Sequence, residues 1–87
     1  MSRKSKLIDR FLSTPNDLTW EELVKILSSF GYDEMTKGKT AGSRRKFVNA
    51  DKDVILLHKP HPVNVVKIYA IRQIQNHLKE KGLLKDE

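Results

Sequence analysis

Eighty-seven residues allow one small domain with a single modest core and leave no room for a second. A hydrophobic share of 38% arranged in periodic stretches excludes intrinsic disorder, and the absence of cysteine excludes a disulfide framework, a thiolate nucleophile and a Cys-ligated zinc. The formal charge of +6 favours a polyanionic partner; a membrane is the weaker candidate, because no apolar run approaches the roughly 18 residues that a spanning helix needs. The N-terminus has no signal-peptide core, so a cytoplasmic location is expected.

Taken in chain order, Leu7, Ile8, Phe11 and Leu12 have helical spacing and predict a short first helix that Pro15 stops. These four apolar residues can pack on the domain or meet a second chain, and oligomeric state is left open. A second helix starts at Leu18-Thr19-Trp20-Glu21-Glu22. Thr19 and Glu22 have the spacing of a capping box, and Leu18 and Leu23 that of a hydrophobic staple. Trp20, Leu23, Val24, Leu27 and Phe30 form one apolar stripe that must face a core, and Gly31 stands where such a helix ends.

Three short extended segments follow, about 32–36, 43–48 and 54–59, separated by turn-rich stretches at 37–42 and 49–53. They predict an antiparallel meander. Pro60 and Pro62 remove ladder donors and close the third strand. Ile68, Ile71, Ile74 and Leu78 mark a last helix, ended by Gly82 with Leu83 folding back onto it. The expected architecture is α+β in the order (α)-α-β-β-β-α. A three-stranded antiparallel sheet carries the helices on one face and leaves the other open.

Between Lys37 and Lys46 the chain reads K-G-K-T-A-G-S-R-R-K, with five cations, no acid and two glycines. Glycines let a backbone approach an anion closely, and Lys and Arg neutralise phosphates. A hairpin edge guarded against self-association is the competing reading, but it requires neither so many charges nor both glycines. The spacing of a nucleotide-hydrolysing phosphate loop is absent, as are zinc-finger, leucine-zipper and G-x-x-G signatures. Of the three histidines, His61 is held between two prolines beside this basic stretch, His58 lies three residues earlier, and His77 reads as a surface residue of the last helix. His61 can equally be a loop anchor bonded to backbone. No third ligand accompanies His58 and His61 at convincing spacing, so neither a metal nor another cofactor is expected.

An amphipathic helix ending in Phe30-Gly31-Tyr32, then Lys37-Gly38, then Gly42-Ser43-Arg44-Arg45-Lys46-Phe47, then His61-Pro62, then Ile71-Arg72-Gln73-Ile74 and a close at Gly82-Leu83, resembles the HicA toxins over roughly residues 18–84. The resemblance implies a double-stranded-RNA-binding-domain (dsRBD)-like fold, with residues 1–16 as an N-terminal helical extension and 17–87 as the RNA-binding domain. It implies cleavage of messenger RNA without the ribosome, and a HicB-type antitoxin partner that covers the active surface. The RNA-binding set it suggests is Lys37, Lys39, Ser43, Arg44, Arg45, Lys46, Lys59 and Lys67.

The chain departs from that family at one position. Where Gly-Ser is followed by the catalytic histidine, this sequence has Arg44. Cleavage through the 2′-hydroxyl needs a base, an acid and a cation at phosphorus, and arginine supplies only the last. Either Arg44 stabilises the transition state while His61, or failing that His58, carries the proton, or the protein binds RNA without cutting it. A third alternative is a basic face that serves only a protein partner.

Overall fold

The computed structural model describes residues 3–35, 44–60 and 62–84. They form α1 (Arg3–Leu12), α2 (Trp20–Ser29), β1 (Asp33–Met35), β2 (Arg44–Val48), β3 (Val54–His58) and α3 (Ile68–Glu80), an α+β fold in the expected order. This is consistent with a dsRBD-like arrangement.

The capping box forms as the spacing requires. The Thr19 hydroxyl accepts from the Glu22 amide at 3.2 Å, and the Glu22 carboxylate accepts from the Thr19 amide at 2.9 Å. Such a cap stabilises a helix by about 1 kcal/mol. At the other end the Tyr32 amide reaches the Leu27 carbonyl and the Gly31 amide the Ser28 carbonyl, a Schellman close made possible by φ +91° at Gly31. α3 ends the same way: Leu83 and Gly82 donate to Leu78 and Lys79, with φ +73° at Gly82. Leu83 itself stays largely exposed, and Leu84 enters the core in its place. The first turn of the wound-back chain carries Leu83 past α3, and only the next side chain turns inward.

The sheet is antiparallel in the order β1-β2-β3. β3 alternates exposed and buried along its whole length, and Phe47 on β2 is buried opposite Ile55. Period-two alternation therefore assigns Glu34, Arg45, Phe47, Ile55 and Leu57 to the inner face. The helical layer covers that face: Trp20 of α2 stacks at a tilt on Phe47, with ring centroids 5.7 Å apart. Phe11, Leu18, Leu23, Ile26, Leu27, Tyr32, Val66, Ile71, Ile74 and Leu78 fill the same core. Ile68 lies at the edge and stays exposed, so the apolar stripe of α3 begins at Ile71.

α1 belongs to this core. Phe11 is fully buried, Leu7 packs against it, and Leu12 points outward. After the helix the chain turns through Thr14 at φ +53°, and Gln75 of α3 donates to the Phe11 carbonyl at 2.9 Å and the Thr14 hydroxyl at 3.2 Å. Arg10 holds Asp17 at 2.9 Å from the same turn. The segment entering α3 is fixed to the start of α2. Val66 donates to the Leu18 carbonyl at 2.7 Å and Trp20 to that of Asn64 at 3.2 Å, while Asn64 also donates to Glu21. Among the described residues no helix is long and apolar enough to cross a membrane.

Candidate nucleic-acid interface

Among the described residues no helix lies on the outer face of the sheet, and the composition of that face follows from the register. At one end Arg44 of β2 stands directly opposite His58 of β3. The next row is Met35, Lys46 and Leu56, and the last is Asp33, Val48 and Val54. Directly opposed residues bring their Cβ atoms to about 5 Å, so a guanidinium and an imidazole project side by side into solvent. Both residues are exposed, as are Lys46, Met35 and Leu56. The face thus carries Arg44 and His58 at one end and, at the other, the acid Asp33 beside Val48 and Val54.

Arg45 does not join them. The alternation that turns Phe47 inward turns Arg45 inward too, where its Nε pairs with Glu34 at 3.1 Å and an Nη donates to the Arg44 carbonyl at 2.9 Å. Its cation is engaged in joining β1 to β2, which removes it from the open surface. Lys59 follows β3 half-buried, and Lys67 is exposed at the N-cap of α3. Lys37, Lys39, Ser43 and His61 lie outside the described residues. Of the predicted set, Arg44, Lys46 and His58 therefore share one surface.

A second polar cluster was not foreseen from the sequence. Asp53, in the turn between β2 and β3, accepts from the Tyr32 hydroxyl, from His77 Nε2 at 2.6 Å and from Lys81 at 3.2 Å. A carboxylate only accepts, so His77 must carry its proton on Nε2 here. The hydrogen bonds from Tyr32 and then His77, with Lys81 adding to them, hold the Asp53 carboxyl well below the usual carboxylate range despite some desolvation. Burial, then the bond to Asp53, pushes the Tyr32 phenol far above its ordinary value. His77 is half-buried with its ring edge-on to Tyr32, 6.4 Å between centroids, not the solvated residue that its charged neighbours suggested. Asn49 completes the turn by accepting from the amides of Asp51 and Asp53 at 3.0 and 2.8 Å. Little in the local sequence signals this cluster, because Tyr32 and His77 stand 21 and 24 residues from Asp53.

The cluster fastens the β2–β3 turn to the end of α2 and to α3, which holds the hairpin carrying Arg44 and His58 against the helices. A cleft of about 670 Å³ lies elsewhere, between α1 and α2, lined by Leu7, Ile8, Val24 and Ile26 with Lys6 and Lys25 among its polar groups. It is separate from the open sheet face.

A family model described as HicA toxin of bacterial toxin-antitoxin matches residues 20–83, from the first residue of α2 to the turn closing α3. No curated protein and no solved structure matches the chain significantly.

Proposed function

Since the chain belongs to the HicA toxin family of bacterial toxin–antitoxin systems, we propose that it binds messenger RNA on the open sheet face and cleaves it by acid–base chemistry between side chains. The observation that carries this reading is Arg44 directly opposite His58 on an exposed surface, with Lys46 in the adjoining row. Side chains that leave neighbouring strands with Cβ atoms about 5 Å apart can address one phosphodiester together.

In the step we assign, the 2′-oxygen of the substrate attacks phosphorus and the bond to the 5′-oxygen breaks, leaving a 2′,3′-cyclic phosphate and a 5′-hydroxyl. An imidazole takes the 2′ proton, an acid protonates the departing 5′-oxygen, and the Arg44 guanidinium neutralises the extra charge on the phosphoryl oxygens. We assign this proton transfer first to His58, which the ladder pairs with Arg44. His61 remains the second candidate from its place in the sequence. Lys46, with Lys59 and Lys67, serves the flanking phosphates, and the loop residues Lys37, Lys39 and Ser43 are candidates for the same task.

The antitoxin we expect is of the HicB type and lies across this face. Met35, Leu56 and Val54 offer it an apolar contact, and acidic groups would meet Arg44 and Lys46.

Incubation of the purified full chain with single-stranded RNA in EDTA tests the reading. Fragments ending in a cyclic phosphate are expected, with loss of cleavage in His58→Gln or His61→Gln while thermal stability is retained. RNA that is retarded yet stays whole after long incubation selects the second reading, binding without cleavage, which the replacement of the family's histidine by Arg44 favours.

A further inference from the structure

The side of α3 that faces away from the core is unusual for a solvated helix. Tyr69, Arg72, Gln73 and Asn76 recur at i, i+3, i+4 and i+7 and so stand on one face, opposite buried Ile71, Ile74 and Leu78. All four are exposed, Tyr69 at 69% of its surface. None makes a side-chain hydrogen bond, ion pair or ring contact among the described residues. Earlier in the chain Val63 is 65% exposed, and Lys67 flanks the first turn of α3. From Val54 to Lys79 the sequence contains no acid, and Glu80 is the first to end the strip.

A helix that only needs solvating is served by alternating charges and gains nothing from exposing an aromatic ring. The combination present suits a different ligand. A flat ring can stack on any base, a guanidinium can pair with a phosphate, and two carboxamides each offer a donor and an acceptor to a base edge. The strip from residue 69 to residue 76 is roughly 10 Å long, which accommodates two to three stacked nucleotides. Its fixed backbone comes from the clamp of Asn64 and Val66 onto the start of α2.

We propose that this face of α3 is a second RNA subsite, in which Tyr69 stacks on an unpaired base, Arg72 holds the adjoining phosphate, and Gln73 and Asn76 contact base edges. The proposal rests on the RNA reading above and assigns the substrate class more narrowly, as single-stranded RNA.

The test uses the full chain and a single-stranded 12-mer with 2′-O-methyl sugars, which cannot be cleaved through the 2′-oxygen. Tyr69→Ala is expected to weaken binding about tenfold or more, the effect of one lost base stack, while Tyr69→Phe stays within about twofold. Tyr69→Trp should bind like the original and its fluorescence should fall on binding; Trp20, 4% exposed, contributes a steady background. Tyr69→Ala binding as tightly as the original chain overturns the subsite while leaving the RNA reading intact. Failure of the original chain itself to bind the 12-mer overturns both. Equal competition by a duplex of the same sequence, equally weakened by Tyr69→Ala, overturns the assignment to unpaired bases.

Discussion

Replacing Phe11 by Ala separates two views of the N-terminal helix. α1 lies before the family match, which begins at Trp20, so it could be an appendage that leaves the domain unaffected when disturbed. The packing argues otherwise: Phe11 is fully buried in the same core as Trp20, Phe47 and Ile71, and the carbonyl of Phe11 is bonded by Gln75 of α3. Truncating a fully buried Phe costs about 3–5 kcal/mol, the transfer of the ring plus the cavity it leaves. A domain of this length has a total stability of about 4–13 kcal/mol. At about 4–8 °C per kcal/mol, the melting temperature should fall by at least about 12 °C, and guanidinium unfolding should remain a single transition. Leu12→Ala, whose side chain points outward, is the control and should shift it by no more than about 3 °C. A Phe11→Ala protein that melts within about 3 °C of the original would show α1 to be an appendage.

Other outcomes follow from the same structure. Asp53 has its carboxyl lowered in the folded chain, so its contribution is present above the unfolded value of about 4 and is lost as the pH falls below it. The melting-temperature gap between the original chain and Asp53→Asn should therefore be widest near neutrality and narrow on acidification; a gap that is constant from pH 7 to pH 2.5 refutes the assignment. Tyr32 is shifted the opposite way, so its contribution to stability is full below about pH 10 and declines above it, where the unfolded phenol ionises while the folded one keeps its proton; melting temperatures from about pH 8 to about pH 11 check this. Gly82→Ala meets open space at its Cβ but keeps φ +73°, and should cost about 1–2 kcal/mol through backbone strain alone, read by urea unfolding. Arg44→His places an imidazole opposite His58, and on the cleavage reading is expected to raise the cleavage rate, give it a bell-shaped pH profile and lower the salt slope of RNA binding by about one. An unchanged rate and pH profile would count against Arg44 being at the reacting phosphate.

Local chemistry was legible in the sequence wherever it acts within a few residues. The capping box at Thr19 and Glu22, both glycine closes and the meander follow from short-range spacing, and each forms. Charge density along the chain groups Arg45 with Arg44 and Lys46, whereas alternation across the strand separates it from them. The needed signal was present in Phe47, since an apolar residue at that position turns Arg45 to the same side two residues earlier. His77 was misjudged for a different reason. Its partner Asp53 comes from another element, and only the closed fold brings Tyr32, His77 and Lys81 to one carboxylate. Leu83 and Leu84 differ by one residue of winding after Gly82, a margin that periodicity does not resolve.

The residue at position 44 can change without cost to the fold, and this bears on how its identity should be interpreted. Arg44 is exposed on the uncovered side of β2, so neither core packing nor the helical layer constrains its side chain, whereas Arg45 is held by Glu34 on the inner side. An exchange between histidine and arginine there is accordingly a chemical substitution and not a repair of stability. What it changes is fixed by the two groups themselves: a proton acceptor is lost and a bidentate phosphate donor is gained. On the cleavage reading, the proton must then move through an imidazole on the β3 side, where His58 already stands opposite. The ladder itself sets guanidinium and imidazole on neighbouring strands, while the Asp53 cluster, at the far end of the same two strands, adds a polar tie from their turn to Tyr32 and α3.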